Sequence, residues 1–174
     1  MKKATPVIVS VFGWSNSGKT TFIEAAIAEC ARRGISTAAI KKSHNAPNLT
    51  PSSKDSSRFR QAGAEPSIYL CDAEMLILSK APSHIDNSTI ISLCPGASII
   101  FCEGLDVEGA IRVLASGNAR DESSLKRTLA DIDILIARNA FMLNLAQDQN
   151  VKFFKPEEIA QFIDHLIAME ASHE

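Results

Sequence analysis

Short, almost continuously apolar runs alternate along the chain with stretches whose apolar residues recur at helical spacing. Val7 to Phe12 is the first such run and has the character of a central parallel strand covered on both faces. From Lys19 to Arg33, Phe22, Ile23, Ala26, Ile27 and Cys30 fall on one helical stripe, and Gly34 stands where a C-cap belongs. Ser36 to Lys41 reads as a second strand, and the polar stretch from Lys42 to Lys54 as a long loop. Asp55 to Ala62 predicts a short helix stopped by Gly63, followed by strands over Ser67 to Cys71 and Met75 to Ser79 and a helix over Asp86 to Leu93. Ser98 to Cys102 is another buried strand, ending in Glu103 and Gly104, and strands are expected near Ile111 to Leu114 and Ile132 to Ala137. Pro156 opens the last helix, with Glu157 and Glu158 favourable to its dipole and Ile159, Phe162, Ile163, Leu166 and Ile167 as its apolar face. The alternation predicts an α/β fold with a mostly parallel sheet, as one domain over residues 1–174.

Composition narrows the partners. The chain has 174 residues and is 45% hydrophobic, enough for one substantial core. Eighteen Lys and Arg against 20 Asp and Glu leave a net charge of -2, and aromatics make up 6%, so neither a basic field nor stacking platforms favour nucleic acid. Cys30, Cys71, Cys94 and Cys102 are scattered without metal-ligand spacing and read as small buried hydrophobes. No run approaches the about 20 apolar residues of a membrane span, and a cytoplasmic location with reduced thiols is expected.

The chemistry is concentrated in Gly13-Trp14-Ser15-Asn16-Ser17-Gly18-Lys19-Thr20, continued by Thr21, a full match to G-x-x-x-x-G-K-[ST] between a buried strand and an amphipathic helix. Phosphate oxygens need several converging N–H donors, and a loop turning into a helix N-terminus provides them from backbone, aided by the helix dipole. Gly13 and Gly18 let the backbone approach, Lys19 reaches the β- and γ-phosphates, and the Thr20 hydroxyl is a Mg²⁺ ligand. The metal wants an acid at a neighbouring strand end, for which Glu103 is the best candidate, with Asp72 and Asp133 as weaker rivals. Lys41, Lys42 and His44 follow the second strand and offer two ammoniums and an imidazole to phosphate or to a second anionic ligand. Asp55 either charges the start of its helix or serves catalysis, and Arg58 and Arg60 are phosphate or partner contacts or ordinary surface residues. No N-K-x-D-like segment specifies a base.

The ordered series from Gly13 to Thr21, Ala39 to His44, Lys54 to Ala64 and Phe101 to Leu105 resembles the MobB family of molybdopterin-guanine dinucleotide biosynthesis, P-loop GTPases, over nearly the whole chain. The resemblance implies a P-loop NTPase-type three-layer sandwich and a homodimer that binds GTP with Mg²⁺ and hydrolyses it slowly. It implies an adaptor for the guanylyltransferase acting on molybdopterin. Residue by residue, it implies that Asn16, Ser17, Gly18, Lys19, Thr20 and Thr21 hold phosphates and that Thr20 and Glu103 serve the metal. Lys41, His44 and Asp55 would lie around the γ-phosphate or a molybdopterin groove, with Lys19 and Asp55 as the catalytic pair. Two readings stay open beside it: an ATP-dependent small-molecule kinase or ligase, using Asp55 or His44 as base, and a diverged P-loop relative serving another cofactor.

Overall fold

A computed structural model describes residues 5–43, 55–117 and 129–171, apart from the side chains at 56, 170 and 171. Two compact units emerge, one of residues 1–42 and 86–174 and a smaller one of residues 43–85.

In the larger unit, strands β1 (Val7–Phe12), β2 (Thr37–Lys41), β5 (Ile99–Glu103), β6 (Ile111–Ala115), β7 (Ile134–Ile136) and β8 (Lys152–Phe154) form one sheet in the order β2-β5-β1-β6-β7-β8. Every pairing in it is parallel. Such a sheet must be covered on both faces, and the alternation of its side chains shows how. Val9 and Val11 of β1 join Phe101, Val113 and Ile134 in a core under helices α1 (Lys19–Arg32) and α5 (Ile159–Ala171), which contribute Phe22, Ile23, Phe162 and Leu166. The opposite face carries Leu114, Leu135 and Ala137, covered by Met142, Leu145 and Ala146 of helix α4 (Ala140–Asp148). This is the three-layer α/β sandwich expected. Phe162 anchors the first face, meeting the Phe22 ring edge-on at 4.9 Å and that of Phe154 at 5.8 Å, contacts worth about 0.5–1.5 kcal/mol each beyond area burial.

Helix α1 ends as the sequence predicts. Gly34, at φ 72°, donates to the carbonyl of Ala31, and Ile35 donates to that of Cys30, closing a Schellman turn. Helix α4 and strand β8 lie beyond the sequence expectations. Asn139 caps α4 by accepting from the Phe141 amide at 2.9 Å, a signal visible in sequence, whereas β8 has only three residues. Helix α3 (Asn87–Leu93) is capped by Asp86, whose carboxylate accepts from the Thr89 amide at 2.8 Å.

The smaller unit holds helix α2 (Asp55–Gln61) and an antiparallel hairpin of β3 (Ser67–Leu70) and β4 (Met75–Leu78). Cys71 lies exposed in its turn, where its thiol donates to the Glu74 carbonyl, so it is not the buried hydrophobe expected. Burial pushes the Cys102 thiol up to about 11 and those of Cys30 and Cys94 upward. No helix among the described residues is long and apolar enough to cross a membrane.

Candidate functional site

The loop from Gly13 to Gly18 joins the carboxyl end of β1 to the first turn of α1. Positive φ angles at Gly13, Asn16 and Gly18 (143°, 59° and 89°) turn the backbone inward. A Cβ at Gly13 would stand 2.2 Å from the Ala115 carbonyl oxygen and 2.8 Å from Ser17 Oγ, so the loop is seated directly on the end of β6. Helix α1 has no side-chain cap and no acid in its first turn, which leaves its leading N–H groups to an anion. Ser17 Oγ is buried without a hydrogen-bond partner. The Lys19 ammonium folds back over the loop, donating to the carbonyls of Trp14 at 2.7 Å and Gly13 at 3.1 Å.

Glu103 reaches this loop because of strand register. It pairs with Val11 of β1 on one side and Lys41 of β2 on the other, so its carboxylate emerges beside the first turn of α1. The Thr20 hydroxyl donates to its two oxygens at 3.0 and 3.1 Å, and the Lys41 ammonium lies 3.2 Å from Oε1. Hydroxyl and carboxylate are hard oxygen donors, and one carboxylate together with ligand phosphates is a usual Mg²⁺ environment. The residues present therefore fit a Mg²⁺–triphosphate group. They line a cavity of about 480 Å³ bounded by Ser15 to Thr21, Lys41 and Glu103.

Asp133 accepts from the Arg112 amide at 2.8 Å at the amino-terminal start of β6, where it fixes strand register, away from the carboxyl ends. In the smaller unit, Asp72 lies in the hairpin turn, and Asp55 opens α2, exposed and 3.4 Å from Arg58. His44 lies outside the described residues.

A second cavity, of about 380 Å³, shares Asn16, Ser17, Gly18 and Thr21 with the first. Phe22, Ala115, Ile136, Arg138 and Pro156 complete its walls. Sequence reasoning missed Gly117, where a Cβ would come 2.8 Å from the Ser17 Cα. The available signal was positional, since Ala115, Gly117 and Arg138 all follow or end strands β6 and β7.

The family model described as molybdopterin guanine dinucleotide synthesis protein B, MobB, matches residues 8–137. The chain belongs to the MobB family. A molybdopterin-guanine dinucleotide biosynthesis adapter protein from Haemophilus influenzae is 33% identical over 78 residues, 45% of this chain and 44% of the relative. Its namesake from Escherichia coli is 29% identical over 77 residues, again 44% of its length. The chain thus aligns with less than half the length of these curated MobB relatives. A crystal structure of Bacillus subtilis MobB superposes with a TM-score of 0.68 over 94% of this chain and 97% of that one, at 19% identity, a likeness of fold.

Proposed function

We propose that this member of the MobB family is an adaptor in molybdopterin guanine dinucleotide biosynthesis that binds GTP with Mg²⁺ and hydrolyses it slowly. The observation that carries the reading is the convergence of Thr20 and Glu103 beside a phosphate loop, within the family match. Triphosphate would take the loop N–H groups and the Lys19 ammonium, which would leave the carbonyls of Gly13 and Trp14 for phosphate oxygens. Thr20 and Glu103 would hold Mg²⁺, which neutralises charge on the β- and γ-phosphates. The adjoining cavity would receive the base.

Among the described residues around the phosphate-loop cavity, Glu103 is the one carboxylate, and it would be engaged with the metal. The Lys19 ammonium and the loop N–H groups would stabilise charge on the transferring phosphoryl group. The roles of Lys41, His44 and Asp55 toward the γ-phosphate or molybdopterin rest on the resemblance alone. A homodimer is part of the same reading. An isolated two-stranded hairpin is marginal in water, and Ile68, Leu70, Met75 and Ile77 of β3 and β4 are half or more exposed, an apolar surface suited to a second copy.

Calorimetric titration of Mg-GTP into the wild type and Lys19→Ala tests the proposal. Binding by the wild type and its loss in the variant are expected; unchanged affinity in Lys19→Ala would reject the phosphate-loop reading.

A further inference from the structure

The second cavity opens off the phosphate loop and has apolar walls from Phe22, Ala115, Ile136 and Pro156. These suit the faces of a planar ring but carry no side-chain information about which ring. The charged group lining the cavity is Arg138, at the carboxyl end of β7. Its Nε donates to the Glu157 carboxylate at 3.4 Å, and among the described residues Glu157 is its one acceptor. The pairing through Nε leaves both Nη groups of the fork to a ligand. Asn139, the neighbouring polar residue, already spends its side-chain oxygen on capping α4.

We infer that Arg138 selects guanine, donating from its two Nη groups to O6 and N7 of the base, and that Glu157 is the positioning residue that orients the fork. Guanine presents O6 and N7 as adjacent acceptors, which match a guanidinium fork, whereas adenine puts an amino donor in place of O6 and meets Arg138 donor to donor. The exocyclic 2-amino group takes no part, so inosine triphosphate should bind like GTP. Glu157 is held ionised, its carboxyl below the ordinary value through a hydrogen bond from its own backbone amide and through Arg138, and so stays a counter-charge to the fork at neutral pH.

This inference rests on the nucleotide reading, and the experiment separates the two. Mg-GTP, Mg-ITP, Mg-ATP and the Mg complex of 7-deaza-GTP are titrated calorimetrically into the wild type, Arg138→Ala, Arg138→Lys and Glu157→Gln. The wild type is expected to bind ITP within about twofold of GTP, and 7-deaza-GTP and ATP about tenfold or more weaker. Arg138→Ala and Arg138→Lys should lose that preference while ATP affinity stays within about twofold. Glu157→Gln should lower the GTP-to-ATP ratio partway, which a purely structural role would not do. A preference for GTP that survives in Arg138→Ala, or an equal loss of GTP and ATP, would overturn the assignment of Arg138 and leave the nucleotide site standing. A wild type that binds none of the four would overturn both.

Discussion

Replacing Gly13 by alanine tests whether the phosphate loop is held in place by its contact with β6. Two costs add. The backbone at φ 143° is a conformation that L side chains rarely adopt, worth about 1–3 kcal/mol of strain. The new methyl would also stand 2.2 Å from the Ala115 carbonyl oxygen, a backbone atom that moves only if the loop or the end of β6 moves, and overpacking of this kind costs about 1–3 kcal/mol. Gly34→Ala is the control, because φ is 72° but no atom lies within 4 Å of the added carbon. It should cost about 1–2 kcal/mol. For a chain of this size about 1 kcal/mol moves Tm by about 2–4 °C. Gly13→Ala should therefore melt several degrees below Gly34→Ala by circular dichroism, and it alone should lose Mg-GTP affinity. Equal melting temperatures, or full nucleotide binding by Gly13→Ala, would refute the claim that the loop is pinned against β6.

Lys41→Met removes the ammonium that sits 3.2 Å from Glu103 Oε1, where a metal would bind. Exposed pairs of this kind are worth at most about 1 kcal/mol, so the Mg²⁺ midpoint for GTP binding should fall about two- to fivefold; a raised midpoint would instead make Lys41 a phosphate ligand. Glu29 of α1 links Arg32 and Arg33, the residue at the helix C-cap, while Arg33 also reaches Asp164 and the Ala160 carbonyl of α5. Those arginines hold its carboxyl down from 4.5 to about 2. Because the folded value lies below the unfolded one, the stabilisation is present above pH 4.5 and lost as pH falls toward 2. Glu29→Gln should accordingly melt below the wild type at neutral pH, with the gap closing near pH 2; a gap independent of pH would contradict this.

Elements with a local signature were legible in the sequence. β1 and α1 declared themselves by apolar pattern and the glycine-lysine-threonine motif, Gly34 by its place after the helical stripe, and Glu103 by ending a buried strand. What escaped depends on neighbours distant in sequence. Strand β8 exists because Lys152 to Phe154 finds a parallel partner in β7, and three residues carry no period of their own. Asp133 stood as a weaker rival at a predicted strand start, and its role is set by the Arg112 amide across the sheet. Gly117 matters only through its approach to Ser17. Spacing placed the Gly13 to Gly18 loop between β1 and α1, and sheet order brought Glu103 to it.

The central claim is that Thr20 and Glu103 complete a Mg²⁺–triphosphate site at this loop. It is tested most directly by titrating GTP into the wild type and Glu103→Gln, each with Mg²⁺ and with the metal chelated. The wild type should bind far more tightly with Mg²⁺, and Glu103→Gln should lose that enhancement while keeping its metal-free affinity. Equal affinity of the wild type with and without Mg²⁺, or an undiminished Mg²⁺ effect in Glu103→Gln, would contradict it.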